Sequence, residues 1–76
     1  MTLRIFTPTM STEHAAEAVF LPGAAGAFEV LKGHAPLIST LSAGVVRWRD
    51  ASGEHSAEVS GGAVMVENDI ITVCTE

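Results

Sequence analysis

The sequence predicts an all-β domain, a small sandwich or flattened barrel of about eight to ten short, mostly antiparallel strands. Three observations lead there. Apolar and polar residues alternate along Thr2–Thr7, Gly44–Asp50 and Glu54–Ser60, the pattern of strands with one face against a core. Turn-forming combinations punctuate the chain at Pro22-Gly23, Lys32-Gly33-His34-Ala35-Pro36, Ala51-Ser52-Gly53, Gly61-Gly62 and Asn68-Asp69, at roughly the 8–12-residue spacing of small β folds. Leu21–Leu41 cannot be helical, because Gly23, Gly26, Gly33 and Pro36 fall inside it; interior glycine costs about 1 kcal/mol and proline about 3. A chain of 76 residues makes one domain, 1–76, and one this small buries only about 60–65% of the surface its unfolded form exposes.

Taken in order, Thr2–Thr7 is a half-buried strand with Leu3 and Ile5 on one face and Thr2 and Arg4 on the other. Pro8 ends it, and Thr9–Thr12 is a polar connection. Glu13–Ala18 has the Ala and Glu content of a helix, yet it runs straight into Val19-Phe20-Leu21, which reads as strand. Strand is therefore expected from about Glu17, with the residues before it open. Ala27–Leu31 and Leu37–Leu41 are short strands. Proline presets φ and glycine accepts positive φ at the Pro22-Gly23 turn, and Ala35, standing before Pro36, is pushed toward extended geometry. Gly44–Asp50 sends Val46 and Trp48 to one face, Val45, Arg47 and Arg49 to the other. Gly53 closes a short hairpin loop, and Glu54–Ser60 returns with Ala57 and Val59 inward. Gly61-Gly62 marks a bulge or corner where the chain passes from one sheet toward another. Ala63–Val66, a turn at Asn68-Asp69 and a strand Ile70–Thr75 complete the chain.

Composition excludes several functions. The net charge of −5, nine acids against four bases, is the wrong sign for a binder of nucleic-acid phosphates or of an anionic membrane surface. No apolar run approaches the ~20 residues of a membrane-spanning helix, and no basic-then-apolar leader opens the chain. Any membrane association is expected to run through a protein partner. A single cysteine, Cys74, excludes an intrachain disulfide and suits a reducing compartment.

The residues offer little catalytic chemistry. Gly23, Gly26 and Gly33 lack the lysine and following helix of a phosphate-binding loop and read as turn glycines. His14, His34 and His55 lack the close spacing of a zinc site. Glu29 is the only acid of the central stretch, so no carboxylate pair is set up there, and no nucleophile elbow is present. Arg47-Trp48-Arg49 mixes base and aromatic, but alternation buries Trp48 and leaves the arginines in solvent. Cys74 reads as a small hydrophobe. His34, held in a constrained bend, is either a structural histidine bonded to a turn carbonyl or a contact residue for a partner.

The central stretch, LPG-x-x-G-x-F-x-V-L-x-G-H-A-P-L from Leu21 to Leu37, resembles the epsilon subunit of the rotary F-type ATP synthase, specifically its N-terminal β-sandwich domain. Gly44-Val45-Val46-Arg47, Val59-Ser60-Gly61-Gly62-Ala63 and Ile71-Thr72-Val73 follow in the family's order, so the resemblance spans Leu3 to Glu76. It implies a non-catalytic, cofactor-free central-stalk subunit of a proton-translocating synthase. Such a subunit binds the gamma subunit, rests on the c-subunit ring, meets the alpha/beta catalytic head only indirectly, and couples proton flow to ATP synthesis. It also implies a peripheral position on the cytoplasmic face of an energy-transducing membrane, a bacterial inner membrane. Carried over by position, the c-ring contacts are Ala24, Ala25, Gly26, Ala27, Glu29, Gly33 and His34. The gamma-facing surface falls on an outer sheet face, with no residues assigned.

This sequence departs from many relatives at Glu29, where they carry glycine, and at Lys32, where they carry proline. Relatives commonly continue into a C-terminal helical hairpin that inhibits hydrolysis and in some members binds ATP. This chain stops at Glu76, and neither activity is expected of residues 1–76. The rival reading is a stand-alone β-sandwich that binds a small molecule or peptide; co-purification with gamma and the catalytic head separates the two.

Overall fold

Nine strands and no helix form in the computed structural model, which describes residues 1–76. They are β1 Thr2–Phe6, β2 Ser11–Ala15, β3 Ala18–Leu21, β4 Phe28–Leu31, β5 Leu37–Leu41, β6 Gly44–Asp50, β7 Gly53–Val59, β8 Gly62–Glu67 and β9 Ile70–Cys74. A five-stranded sheet runs β2-β1-β9-β8-β5 and a four-stranded sheet β4-β3-β6-β7. Every pairing is antiparallel except β1 with β9, which is parallel. The all-β sandwich expected from the sequence is the fold observed.

The core is the layer between the sheets. Leu3, Ile5, Val64, Val66, Ile71 and Val73 fill it from the five-stranded sheet, and Val19, Leu21, Val30, Val46, Trp48 and Val59 from the other. No polar or charged residue is buried as a whole, although the Thr75 hydroxyl oxygen is enclosed. Aliphatic burial at roughly 25 cal/mol per Å² therefore carries the fold, with Trp48 the one aromatic ring in the core. Arg47 and Arg49 are exposed on the opposite face of β6, as alternation requires.

Three local expectations need correction. The segment after Pro8 is not a connection as far as Thr12: β2 begins at Ser11 and pairs with β1 along its whole length. Cross-strand pairing overrides the helical propensity of Glu13–Ala18, and one of those pairs, Arg4 with Glu13, carries an ion pair of 3.0 Å. Gly23 does not adopt positive φ. Space is its constraint, since a Cβ there would lie 2.5 Å from the Gly26 carbonyl oxygen and 2.8 Å from the Phe28 ring. Cys74 is exposed rather than packed; Val73 beside it takes the core position.

The other turns match their chemistry. Asn68 and Asp69 take φ of 52° and 60°, the pair of left-handed residues that a tight hairpin requires. Gly61 and Gly62, at φ of 129° and 123°, carry the chain from β7 in one sheet to β8 in the other. In the β6–β7 hairpin the Ser52 hydroxyl and backbone N–H both donate to Asp50 Oδ1 at 2.7 Å. His55 Nε2 lies 3.0 Å from Asp50 Oδ2. The two Ser52 donors, with His55 behind them, hold the Asp50 carboxyl down to about 2.

Gly62→Ala tests the corner. The added Cβ would collide with the Cys74 carbonyl oxygen at a φ that side chains rarely adopt. A loss above about 2 kcal/mol is expected in urea unfolding. Gly53 has the same φ with open space around it, so Gly53→Ala is expected to lose only about 1 kcal/mol; equal losses would discount the collision. Asp50 gives the second test. A carboxyl depressed in the folded state adds stability above the ordinary carboxylate range and loses it as pH falls toward about 2. An NMR titration of Asp50 should therefore sit near 2, and Ser52→Ala should move it up toward the ordinary value.

Candidate functional site

The seven residues carried over for the site lie on the segment from β3 to β5, and the structure divides them between the two ends of β4. At one end, Gly26 N–H donates to the Gly23 carbonyl at 3.0 Å, closing a four-residue turn with Ala24 and Ala25 at its tip. Gly26 takes φ of 139°, a value that only glycine adopts freely. The turn is also tied to the neighbouring sheet. Ala24 N–H donates to the Thr40 carbonyl at 2.9 Å, and Ser42 N–H to the Pro22 carbonyl at 2.8 Å. Ala24, Ala25, Gly26 and Ala27 are all exposed. The tip is therefore small, uncharged and fixed, and it presents methyl and backbone groups rather than functional side chains.

At the other end of β4, Leu31–His34 forms a turn closed by His34 N–H to the Leu31 carbonyl at 3.1 Å. Gly33 sits at its third position with φ of 82°, the geometry of a type II turn. The Gly33 N–H donates to Asp69 Oδ1 at 2.7 Å, so the β8–β9 hairpin clamps this bend from the other side of the sequence. His34 Nδ1 lies 2.7 Å from the Ala35 carbonyl oxygen. The structural role considered for His34 is thus present, on a half-buried residue whose turn neighbours are exposed.

Glu29 lies between the two ends, exposed on the outer face of β4 opposite Phe20. A four-residue strand is roughly 13 Å long, so Ala24–Ala27 and Gly33-His34 do not form one patch. The arrangement suits recognition by shape and backbone groups. It sets no nucleophile against a base.

One surface was not assigned from the sequence. On the outer face of the five-stranded sheet, Ile38 is paired with Met65, and Cys74 lies between Ala63 and Phe6. Ile38 is 79% exposed, Met65 44% and Phe6 40%. Ile38 and Met65 make an exposed apolar pair whose row continues into Thr72 and Arg4, while Ala63, Cys74 and Phe6 form a separate row beside it. A signal existed in the apolar residues at both alternating positions of Leu37-Ile38 and Met65-Val66, but only the strand register aligns them.

No helix is long and apolar enough to cross a membrane. The model of the β-sandwich domain of the ATP synthase delta/epsilon chain matches residues 1–76. The ATP synthase epsilon chain of Acaryochloris marina is 39% identical over 74 residues, covering 96% of this chain and 54% of its own length. That of Microcystis aeruginosa has the same identity and coverage, and that of a Synechococcus species is 38% identical, with 55% of its length covered. This chain thus spans about half the length of these relatives. Among solved structures, a chain of the Euglena gracilis mitochondrial ATP synthase assembly of OSCP, F1 and c-ring superposes with a TM-score of 0.87 at 19% identity, over 96% of this chain and 48% of that one. A chain of the Tetrahymena thermophila central stalk and c-ring gives 0.80 at 11% identity, over 97% and 61%. Those two likenesses are of fold alone. With the family model matched along its whole length and relatives named epsilon chain covering nearly all of it, this chain belongs to the delta/epsilon β-sandwich family of ATP synthase.

Proposed function

We propose that this chain is a non-catalytic central-stalk component of an F-type ATP synthase, linking gamma to the c-subunit ring and coupling proton flow to ATP synthesis. The observation that carries this reading is the match to proteins named ATP synthase epsilon chain over 96% of the chain. The solved neighbours, drawn from F1/c-ring and central-stalk assemblies, support it. On this reading the protein is peripheral, held on the cytoplasmic face of the membrane by the complex. The test is reconstitution. Added to a synthase depleted of its own epsilon, the chain should co-purify with gamma and restore proton-driven ATP synthesis. A chain that folds yet is recovered free of gamma would favour the stand-alone binding module instead.

The two ends of β4 would then be candidates for the c-ring contact, and their separation makes the orientation testable. In a Cys74→Ser background, Ala27→Cys and His34→Cys place single thiols beyond opposite ends of β4. The c-ring reading of the β3–β4 turn expects cross-linking to c-subunit loops from Ala27→Cys at least. Cross-links from His34→Cys alone would move the contact to the Leu31–His34 bend.

The face that carries the exposed Ile38–Met65 pair is the surface we assign to gamma, because adjoining exposed apolar side chains are what an interaction site presents. Ile38→Glu and Met65→Glu should each lower recovery with gamma by roughly tenfold or more, with the circular dichroism spectrum unchanged. Wild-type recovery for both would clear this face.

A further inference from the structure

The two ends of β4 are fixed by different kinds of bond. At the β3–β4 turn the ties to the rest of the fold run from backbone to backbone, Ala24 N–H to the Thr40 carbonyl and Ser42 N–H to the Pro22 carbonyl. At the other end, Lys32–Pro36 crosses from the four-stranded sheet to the five-stranded one outside any strand. Its residues are exposed except for half-buried His34, and Pro36 has no N–H to offer. Beyond the bond that closes the turn onto Leu31, a single hydrogen bond joins this segment to any other element. It runs from Gly33 N–H to Asp69 Oδ1, 2.7 Å long and across 36 residues of sequence. This end therefore depends on one side chain.

The fold holds that side chain well. Asn68 and Asp69 are the two middle residues of the β8–β9 turn, between the paired Glu67 and Ile70. Their left-handed backbone fixes the direction in which the Asp69 carboxylate leaves the chain. The Asp69 carbonyl accepts Thr2 N–H at 2.9 Å, which roots the residue at the end of the β1–β9 pairing. A bond from an amide to a carboxylate is also stronger than one to a neutral acceptor.

We infer that Asp69 is a positioning residue: through Gly33, its carboxylate sets the orientation in which the Leu31–His34 bend meets its partner. That partner, the c-subunit ring, is taken from the stalk reading, on which the inference rests in this respect. Without the carboxylate the backbone of Lys32–Pro36 has no tie beyond its own turn, and docking has to order it. The β3–β4 turn keeps its separate ties. Asp69 is thus the position at which one end of β4 is tuned while the other is left alone.

Two substitutions separate the carboxylate from the turn it stands on. Asp69→Gly removes the carboxylate alone, because glycine accepts a φ of 60° freely and Asn-Gly is a favoured pair in such a turn. Asp69→Asn keeps both the left-handed backbone and an Oδ1 acceptor. In the intact chain, NMR should show the Gly33 amide exchanging with solvent about tenfold faster in Asp69→Gly than in wild type. The Thr2 amide should be unchanged, and Asp69→Asn should lie near wild type. In the assembled synthase, in the Cys74→Ser background, adding Asp69→Gly should lower cross-linking of His34→Cys to c-subunit loops roughly threefold or more. Asp69→Asn should restore most of that yield, and Ala27→Cys should keep its own yield throughout. A Gly33 amide indifferent to Asp69→Gly, or a loosened bend with undiminished His34→Cys cross-linking, would overturn the inference. An equal fall at Ala27→Cys would do the same, by reducing the effect to a general loss of stability. No cross-link from His34→Cys with Asp69 in place would also remove the docking role. That outcome marks failure of the stalk reading at this bend, since Gly33 exchange would still respond to Asp69→Gly.

Discussion

The parallel pairing of β1 with β9 is the constraint on which the rest of the sandwich depends. It joins Thr2–Phe6 to Ile70–Cys74 in register, placing fully buried Leu3 opposite Ile71 and Ile5 opposite Val73. Hydrogen bonds at both ends of the pair, Thr2 N–H to the Asp69 carbonyl and Thr75 N–H to the Phe6 carbonyl, each 2.9 Å, extend it beyond the ladder. Parallel neighbours need a long crossover. Here the crossover is nearly the whole chain, and it contains the complete four-stranded sheet. The cost is the loop-closure entropy of a contact between distant residues, which places this fold among the slower of its size. The gain is a five-stranded layer whose middle strands, β1, β9 and β8, each have two neighbours.

That framework explains how the two ends of β4 are held in place. The β3–β4 turn is bonded to β5, and the Leu31–His34 bend is bonded to Asp69 in the β8–β9 hairpin. Each end of β4 is thus fixed by an element of the other sheet. Asp69 serves two purposes: its left-handed backbone makes the hairpin, and its carboxylate seats Gly33. The alanines and glycines of the β3–β4 turn have little flexible side-chain area to adapt, so a contact at the turn of the kind proposed above would rest on this prior positioning of the backbone.

Much of this was legible in the residues, and the illegible parts share a cause. Alternation placed Leu3, Ile5, Val46, Trp48 and Val59 in the core correctly, because side-chain direction in a strand is a local property. The Gly61-Gly62 corner and the Asn68-Asp69 turn were equally local. What could not be read depends on residues remote in sequence. Ser11–Ala15 is strand because β1 pairs with it, against its own composition. Gly23 is glycine because Gly26 and Phe28 come too close. The exposed apolar pair exists because β5 and β8 set Ile38 opposite Met65, and the row beside it because β9 and β1 set Cys74 opposite Phe6. For the same reason the carried-over site residues were nameable one by one, while their division between two ends of a strand was not.

The bonds from the β3–β4 turn to β5 carry a further consequence. β5 is an outer strand, and such a strand offers unpaired amides to any passing chain. The Ala24 N–H occupies the Thr40 carbonyl, and Pro22 receives the Ser42 N–H, so the turn acts as a selvedge that keeps the woven edge from fraying onto its neighbours. Its sequence therefore answers to the protection of this edge, whatever else it does. Substitutions that loosen Pro22 to Ala24 would uncover that edge, so a loss of function they caused would not by itself place the turn in an interface.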